Sequence, residues 1–190
     1  IGGGVYYVLK NKTISSSQNE PPPPPIQTAD WKEYFSPNKY LIFKYPPSAT
    51  VSEDIEGINL IKLDVKSLPT GFSSEEATES LLITSVTIGE LQQHIQDRKN
   101  ESVVSKQDPN RRMSALEPVE IGGKTSTVFK LEALNTGATH IFYYVANDWG
   151  DGNVVGYEIS RSVAQRTANE AEKVDKLIQK IFMQVMYKHI

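Results

Sequence analysis

One heptapeptide near the middle of the chain, His140-Ile-Phe-Tyr-Tyr-Val-Ala146, constrains the fold more than any other. In a strand, alternate side chains point to opposite faces. Ile141, Tyr143 and Val145 would line one face, and Phe142, Tyr144 and Ala146 the other. Both sets are apolar, so the strand needs cover on both sides. This demands a sheet with a layer packed on each face, and places these residues in its centre.

The neighbouring text supplies such a sheet. Short alternations or apolar runs predict strands at Trp31–Tyr34, Tyr40–Tyr45, Asn59–Val65, Ala115–Ile121, Thr125–Leu134 and Val154–Ser160. In Asn59–Val65 the inward face would carry Ile61, Leu63 and Val65, and Pro46-Pro47 stops the strand before it. Three capping boxes mark helix starts: Ser73-Ser74-Glu75-Glu76, Thr87 with Glu90, and Thr167 with Glu170. The second opens a helix with Ile88, Leu91 and Ile95 on one face. The third opens the clearest helix, long and C-terminal, with Ala171, Val174, Ile178, Ile181 and Val185 in its stripe and Leu177 and Phe182 widening it. Lys99 to Ser114 is polar and turns at Asp108-Pro109-Asn110, so a mobile loop is expected there. The sum is α+β: helices packed on an antiparallel sheet, in one domain over residues 29–190.

Several stretches together resemble PsbP-like domains. They are WKEYFSPNKYLIFKYPPSATV from Trp31, EIGGKTSTVFKLE from Glu120, HIFYYV from His140 and a closing helix near IQKIFMQV. The likeness spans roughly Asp30 to Met186, and its local motif is Phe43-Lys44-Tyr45-Pro46. The tryptophan usual after that proline is replaced by Ala49-Thr50-Val51, and the Leu81–Ser114 region is longer than the family norm. The resemblance implies an α-β-α sandwich and a non-enzymatic accessory role, often exported or membrane-associated. It transfers no binding residues.

Ahead of the domain, Ile1–Leu9 (IGGGVYYVL) is too short to cross a bilayer, which takes about 20 apolar residues. Its glycines and its Tyr6-Tyr7 pair suit the end of a transmembrane anchor at the interface, with Lys10 and Lys12 among headgroups. A frayed terminus or the end of a signal peptide are the alternatives. Residues 10–28 are a Ser/Pro-rich linker, and Pro21–Pro25 would form a polyproline rod of about 15 Å. That tract reads as a spacer, or else as a ligand for an SH3-type domain. The layout is a membrane-tethered module, expected on the extracytoplasmic side, although Lys10 and Lys12 lean toward the cytoplasmic face.

Chemistry is sparse. A net charge of -3 argues against nucleic acid as a partner, and the absence of cysteine removes thiolate and disulfide chemistry. Arg111-Arg112 reads as a solvated pair. Gly122-Gly123-Lys124-Thr125 resembles the end of a P-loop, but Pro118 stands where the first glycine belongs and a β-prone run follows. A hairpin turn is expected instead. His94, His140 and His189 have no ligand spacing, and the sequons at Asn11 and Asn100 are at chance level. No catalytic residue, cofactor or metal site is expected. The loop Asn147–Asn153 is the candidate contact for a partner or ligand, through Asn147, Asp148, Trp149 and Asp151. It fails as a calcium loop, since Trp149 occupies an oxygen-ligand position and strands flank it. The expected function is therefore a non-catalytic interaction module whose protein partner is unknown. The alternative is a small-ligand or cation-binding protein using this loop.

Overall fold

A computed structural model describes residues 28–36, 41–53, 60–66, 78–148, 154–163 and 168–187. The expected anchor, the linker up to residue 27, the Ser73–Glu76 capping box and Thr167 lie outside the described residues, as do Trp149, Asp151 and His189.

Seven antiparallel strands make the main sheet, in the order β3-β4-β5-β11-β10-β9-β6. They are β3 (Ala49–Glu53), β4 (Leu60–Lys66), β5 (Thr78–Thr87), β6 (Arg111–Leu116), β9 (Thr127–Ala133), β10 (Ala138–Asp148) and β11 (Val154–Val163). A small sheet of β1 (Lys32–Phe35), β2 (Leu41–Tyr45) and β12 (Met186–Tyr187) has β2 at its centre. A two-stranded hairpin joins β7 (Glu120–Ile121) to β8 (Lys124–Thr125). The helices are α1 (Ile88–Val104) and α2 (Ala168–Met183).

The doubly apolar heptapeptide lies within β10, paired on both sides. Tyr143 and Val145 face a core formed with Leu81, Ile83, Tyr157 and Ile159 and with Val174, Ile178, Ile181 and Phe182 of α2. Tyr144 turns the other way, into a second cluster with Leu91 of α1, Met113 and Phe129. Phe142 packs against that second cluster. Each fully buried side chain of this size contributes about 1.5–3 kcal/mol. An α1–sheet–α2 sandwich satisfies both faces, and the α+β architecture implied by the PsbP-like resemblance is present.

Helix α1 starts as its capping box requires. Glu90 N–H donates to Thr87 Oγ1 (3.3 Å) and Thr87 N–H donates to Glu90 Oε2 (2.8 Å). Hydrogen bonds from the Thr87 backbone and then its hydroxyl hold the Glu90 carboxyl below its ordinary range. Gly156 lets this helix sit close, because a Cβ there would come within 3.0 Å of both Leu91 and Val86.

Three expectations need correction. Lys99–Ser114 is not a loop. Its first part continues α1 to Val104, a 3-10 turn covers Ser105–Gln107, and its last part is strand β6. The segment is polar because one half is the outer face of a helix and the other the edge strand of the sheet. Arg111 of β6 reaches back to Glu101 (3.3 Å) and Asp108 (3.2 Å), which organises the turn. Ala115–Ile121 is likewise not one strand, since β6 ends at Leu116 and β7 begins at Glu120. Pro118 lies in the break, where it has no N–H to give a ladder. Finally, α2 spans 16 residues, one fewer than α1, and does not reach Val185 or close the chain. Val185 is buried beyond the helix end, and β12 follows to complete the small sheet.

Candidate functional site

Strand pairing across the small sheet creates an apolar row whose two ends are exposed. Leu41 and Phe43 of β2 point into the core, so Ile42 points to the outer face. Its partners in register are Phe35 of β1 and Met186 of β12. Phe35 is 54% exposed and Met186 46%, while Ile42 between them is 8% exposed. Glu33 and Lys44, paired across the same strands, continue this face as a polar border. Met183, at the end of α2, is also exposed. Beneath the row the sheet is fixed firmly. Tyr34 stacks on Phe43 (5.0 Å between centroids) and donates to Glu53 Oε1 of β3 at 2.7 Å. Burial, and then the Glu53 carboxylate, push the Tyr34 phenol well above its ordinary range.

A charged seam runs under α1. His94 Nδ1 lies 2.8 Å from Glu158 Oε2 of β11. The Arg98 guanidinium stacks 4.0 Å over the Phe142 ring, its Nε donates to the Tyr144 hydroxyl (3.1 Å), and it pairs with Glu101 (3.1 Å). Burial raises the pKa of Tyr144, more than the Arg98 hydrogen bond lowers it, so its hydroxyl stays protonated. The Arg98 guanidinium thus meets the Glu101 carboxylate beside the Tyr144 hydroxyl. The arrangement pins α1 to the sheet.

On the opposite face, β10, β11 and α2 line a cavity of about 130 Å³ that is partly open to solvent. Its walls include Val119, Ile141, Tyr143, Ile178 and Phe182, with Gln179 at the helix. Arg161 reaches it from β11 with only 3% of its surface exposed, paired at 2.7 Å with Asp175 of α2.

The residues singled out in the sequence fall differently. Asn147 is 2% exposed, and its amide nitrogen has no hydrogen-bond partner among the described residues. Asp148 is exposed and pairs in register with Val154, so β10 and β11 bracket the 149–153 loop. His140 sits 3.3 Å from Ser162 Oγ, across the sheet from the Arg161 cavity and well apart from His94 along the chain. Arg111 and Arg112 stand on the edge strand rather than in a loop. Gly122 and Gly123 form the expected turn, with φ of 58° and 73°. Among the described residues no three His, Asp or Glu side chains gather to hold a metal ion.

The apolar row and the Arg161 cavity were not found from sequence. Signals existed for both. Phe35 shares the strand parity of the charged Glu33, and Arg161 shares the buried parity of Tyr157 and Ile159.

No family model and no curated protein matches the chain. Solved structures do. LpqN, described as involved in cell envelope biogenesis of Mycobacterium tuberculosis, aligns at a TM-score of 0.52 and 10% identity, over 84% of this chain and 91% of its own. The cyanobacterial PsbP (CyanoP) of Synechocystis sp. PCC 6803 aligns at 0.48 and 11% identity, over 86% and 95%. A protein of Bacteroides thetaiotaomicron VPI-5482 aligns at 0.47 and 17% identity over 83% of this chain, which spans about half (48%) of that protein's length. At these identities the likeness concerns the fold, and LpqN carries it.

Proposed function

We propose that this chain is a non-catalytic accessory module held at a membrane. Residues 1–9 would be the end of a transmembrane anchor, residues 10–28 a spacer, and residues 29–190 a domain on the extracytoplasmic side. The apolar row Phe35–Ile42–Met186 carries the reading, because it lies on the same small sheet into which residues 1–28 lead. Large exposed apolar side chains in register are costly unless covered. The border of the row favours a protein as the cover. Glu33 and Lys44 bring opposite charges, the apolar-centre and polar-rim pattern of protein interfaces, whereas a lipid surface favours a basic rim. The envelope role described for LpqN agrees with this placement.

A photo-crosslinker placed at Glu33, on the border of the row, in the full-length protein in intact cells tests the surface. A discrete protein adduct is expected, lost when Phe35→Ser and Met186→Ser are added, with none from a control position at Glu117. Adducts to lipid, or adducts indifferent to the two serines, would defeat the reading.

A second reading places a small ligand at Asn147, Asp148, Trp149 and Asp151. One observation favours it: the buried Asn147 amide nitrogen at the base of this loop has no partner among the described residues. An amide N–H₂ donates, so it suits an acceptor-bearing ligand better than a cation.

A further inference from the structure

We infer that the Arg161 cavity is a binding site for a small carboxylate bearing a compact apolar group. Three observations converge. A guanidinium is seldom buried to 3% exposure without a task, since its desolvation must be offset by excellent pairing. One carboxylate that pairs with it belongs to Asp175, on the surface of α2, whose side chain is 54% exposed. The exposed partner therefore reaches in to the buried one, and it alone can swing out into water without disturbing the core. Beside the guanidinium lies a cavity of about 130 Å³ whose walls include Val119, Ile141, Ile178 and Phe182. An apolar cavity of about 150 Å³ takes one benzene ring in another protein.

Binding would exchange one carboxylate for another on Arg161. The guanidinium fork accepts the incoming carboxylate with two N–H donors, and Asp175 turns to solvent. The electrostatics of the two states nearly balance, so affinity comes from the apolar group entering the cavity. Asp175 is an internal competitor, and its removal should tighten binding. Specificity follows from the same geometry: a neutral isostere leaves Arg161 with Asp175 and gains little.

Benzoate and benzamide, titrated calorimetrically into the full chain, are suitable probes. Saturable binding of one benzoate is expected, with none of benzamide. Asp175→Asn keeps the side-chain shape and should bind benzoate at least tenfold more tightly. Arg161→Met should abolish binding. If that variant does not fold, Gln179→Trp covers the cavity from an exposed helix position and should abolish binding equally. Benzoate binding that weakens or stays unchanged in Asp175→Asn, or that survives Gln179→Trp, would overturn the site. So would an absence of binding in both wild type and Asp175→Asn.

Discussion

The turn at Gly122-Gly123 offers a sharp test of the packing, because two adjacent glycines share one backbone region and differ in surroundings. Both have positive φ, at 58° and 73°. A Cβ on Gly123 would meet nothing within 4 Å. One on Gly122 would lie 2.7 Å from the Val185 carbonyl oxygen and 2.7 Å from the Tyr187 ring. The backbone there cannot retreat easily, since Gly122 N–H donates to the Phe182 carbonyl (3.0 Å) and the Tyr187 hydroxyl donates to Ile121 (3.3 Å). Left-handed backbone costs an L-residue about 1–2 kcal/mol. The loss of unfolded-state freedom returns about 0.4–1 kcal/mol. Gly123→Ala should therefore destabilise by about 1 kcal/mol or less. Gly122→Ala adds an overpacking cost of about 1–3 kcal/mol, for about 1–4 kcal/mol in total. Urea denaturation followed by tyrosine and tryptophan fluorescence reads both. Equal losses at the two positions would refute the claim that the β7–β8 hairpin is wedged against the segment leading into β12.

Four further outcomes are expected. Thr87→Ala should cost about 1 kcal/mol by urea midpoint, as loss of an N-cap does. The depressed carboxyl of Glu90 contributes stability above its unfolded pKa and loses it as pH falls through the folded value, so Glu90→Gln should lose less stability than wild type between pH 7 and pH 3. Ser105→Ala leaves the buried Met113 N–H without its 2.8 Å acceptor and should cost about 1–3 kcal/mol, measured by the same midpoint. Calcium should leave the melting temperature unchanged in wild type and in Asp151→Ala, and a calcium-dependent rise in wild type alone would revive the cation reading.

How much of this was legible in the sequence depended on the range of the interaction. The α1 cap, the Gly122-Gly123 turn and the doubly covered β10 follow from contacts a few residues apart or from simple alternation, and they were read correctly. The polar run from Lys99 to Ser114 misled because polarity marks exposure, and an exposed helix face and an edge strand are as polar as a loop. What orders it is partly long-range, since Arg98 just before it reaches Tyr144, 46 residues away, and partly the Ser105 hydroxyl, which accepts from Met113 N–H within the segment. The end of α2 was overrun because Val185 continues the apolar stripe, although its burial comes from the chain beyond the helix. The candidate surfaces were invisible for the same reason. Phe35 and Met186 stand 151 positions apart and meet only through their shared partner Ile42. Arg161 and Asp175 need the packing of α2 on β11 to become a pair.

The proposed placement puts this domain outside a membrane that holds it. Full-length protein carrying a tag after Ile190, in intact cells treated with external protease, is the decisive preparation. The protein is expected to fractionate with membranes and to lose the tag without lysis. Protection until lysis would put the domain on the cytoplasmic face, and recovery in the soluble fraction would remove the anchor; either result overturns the proposal.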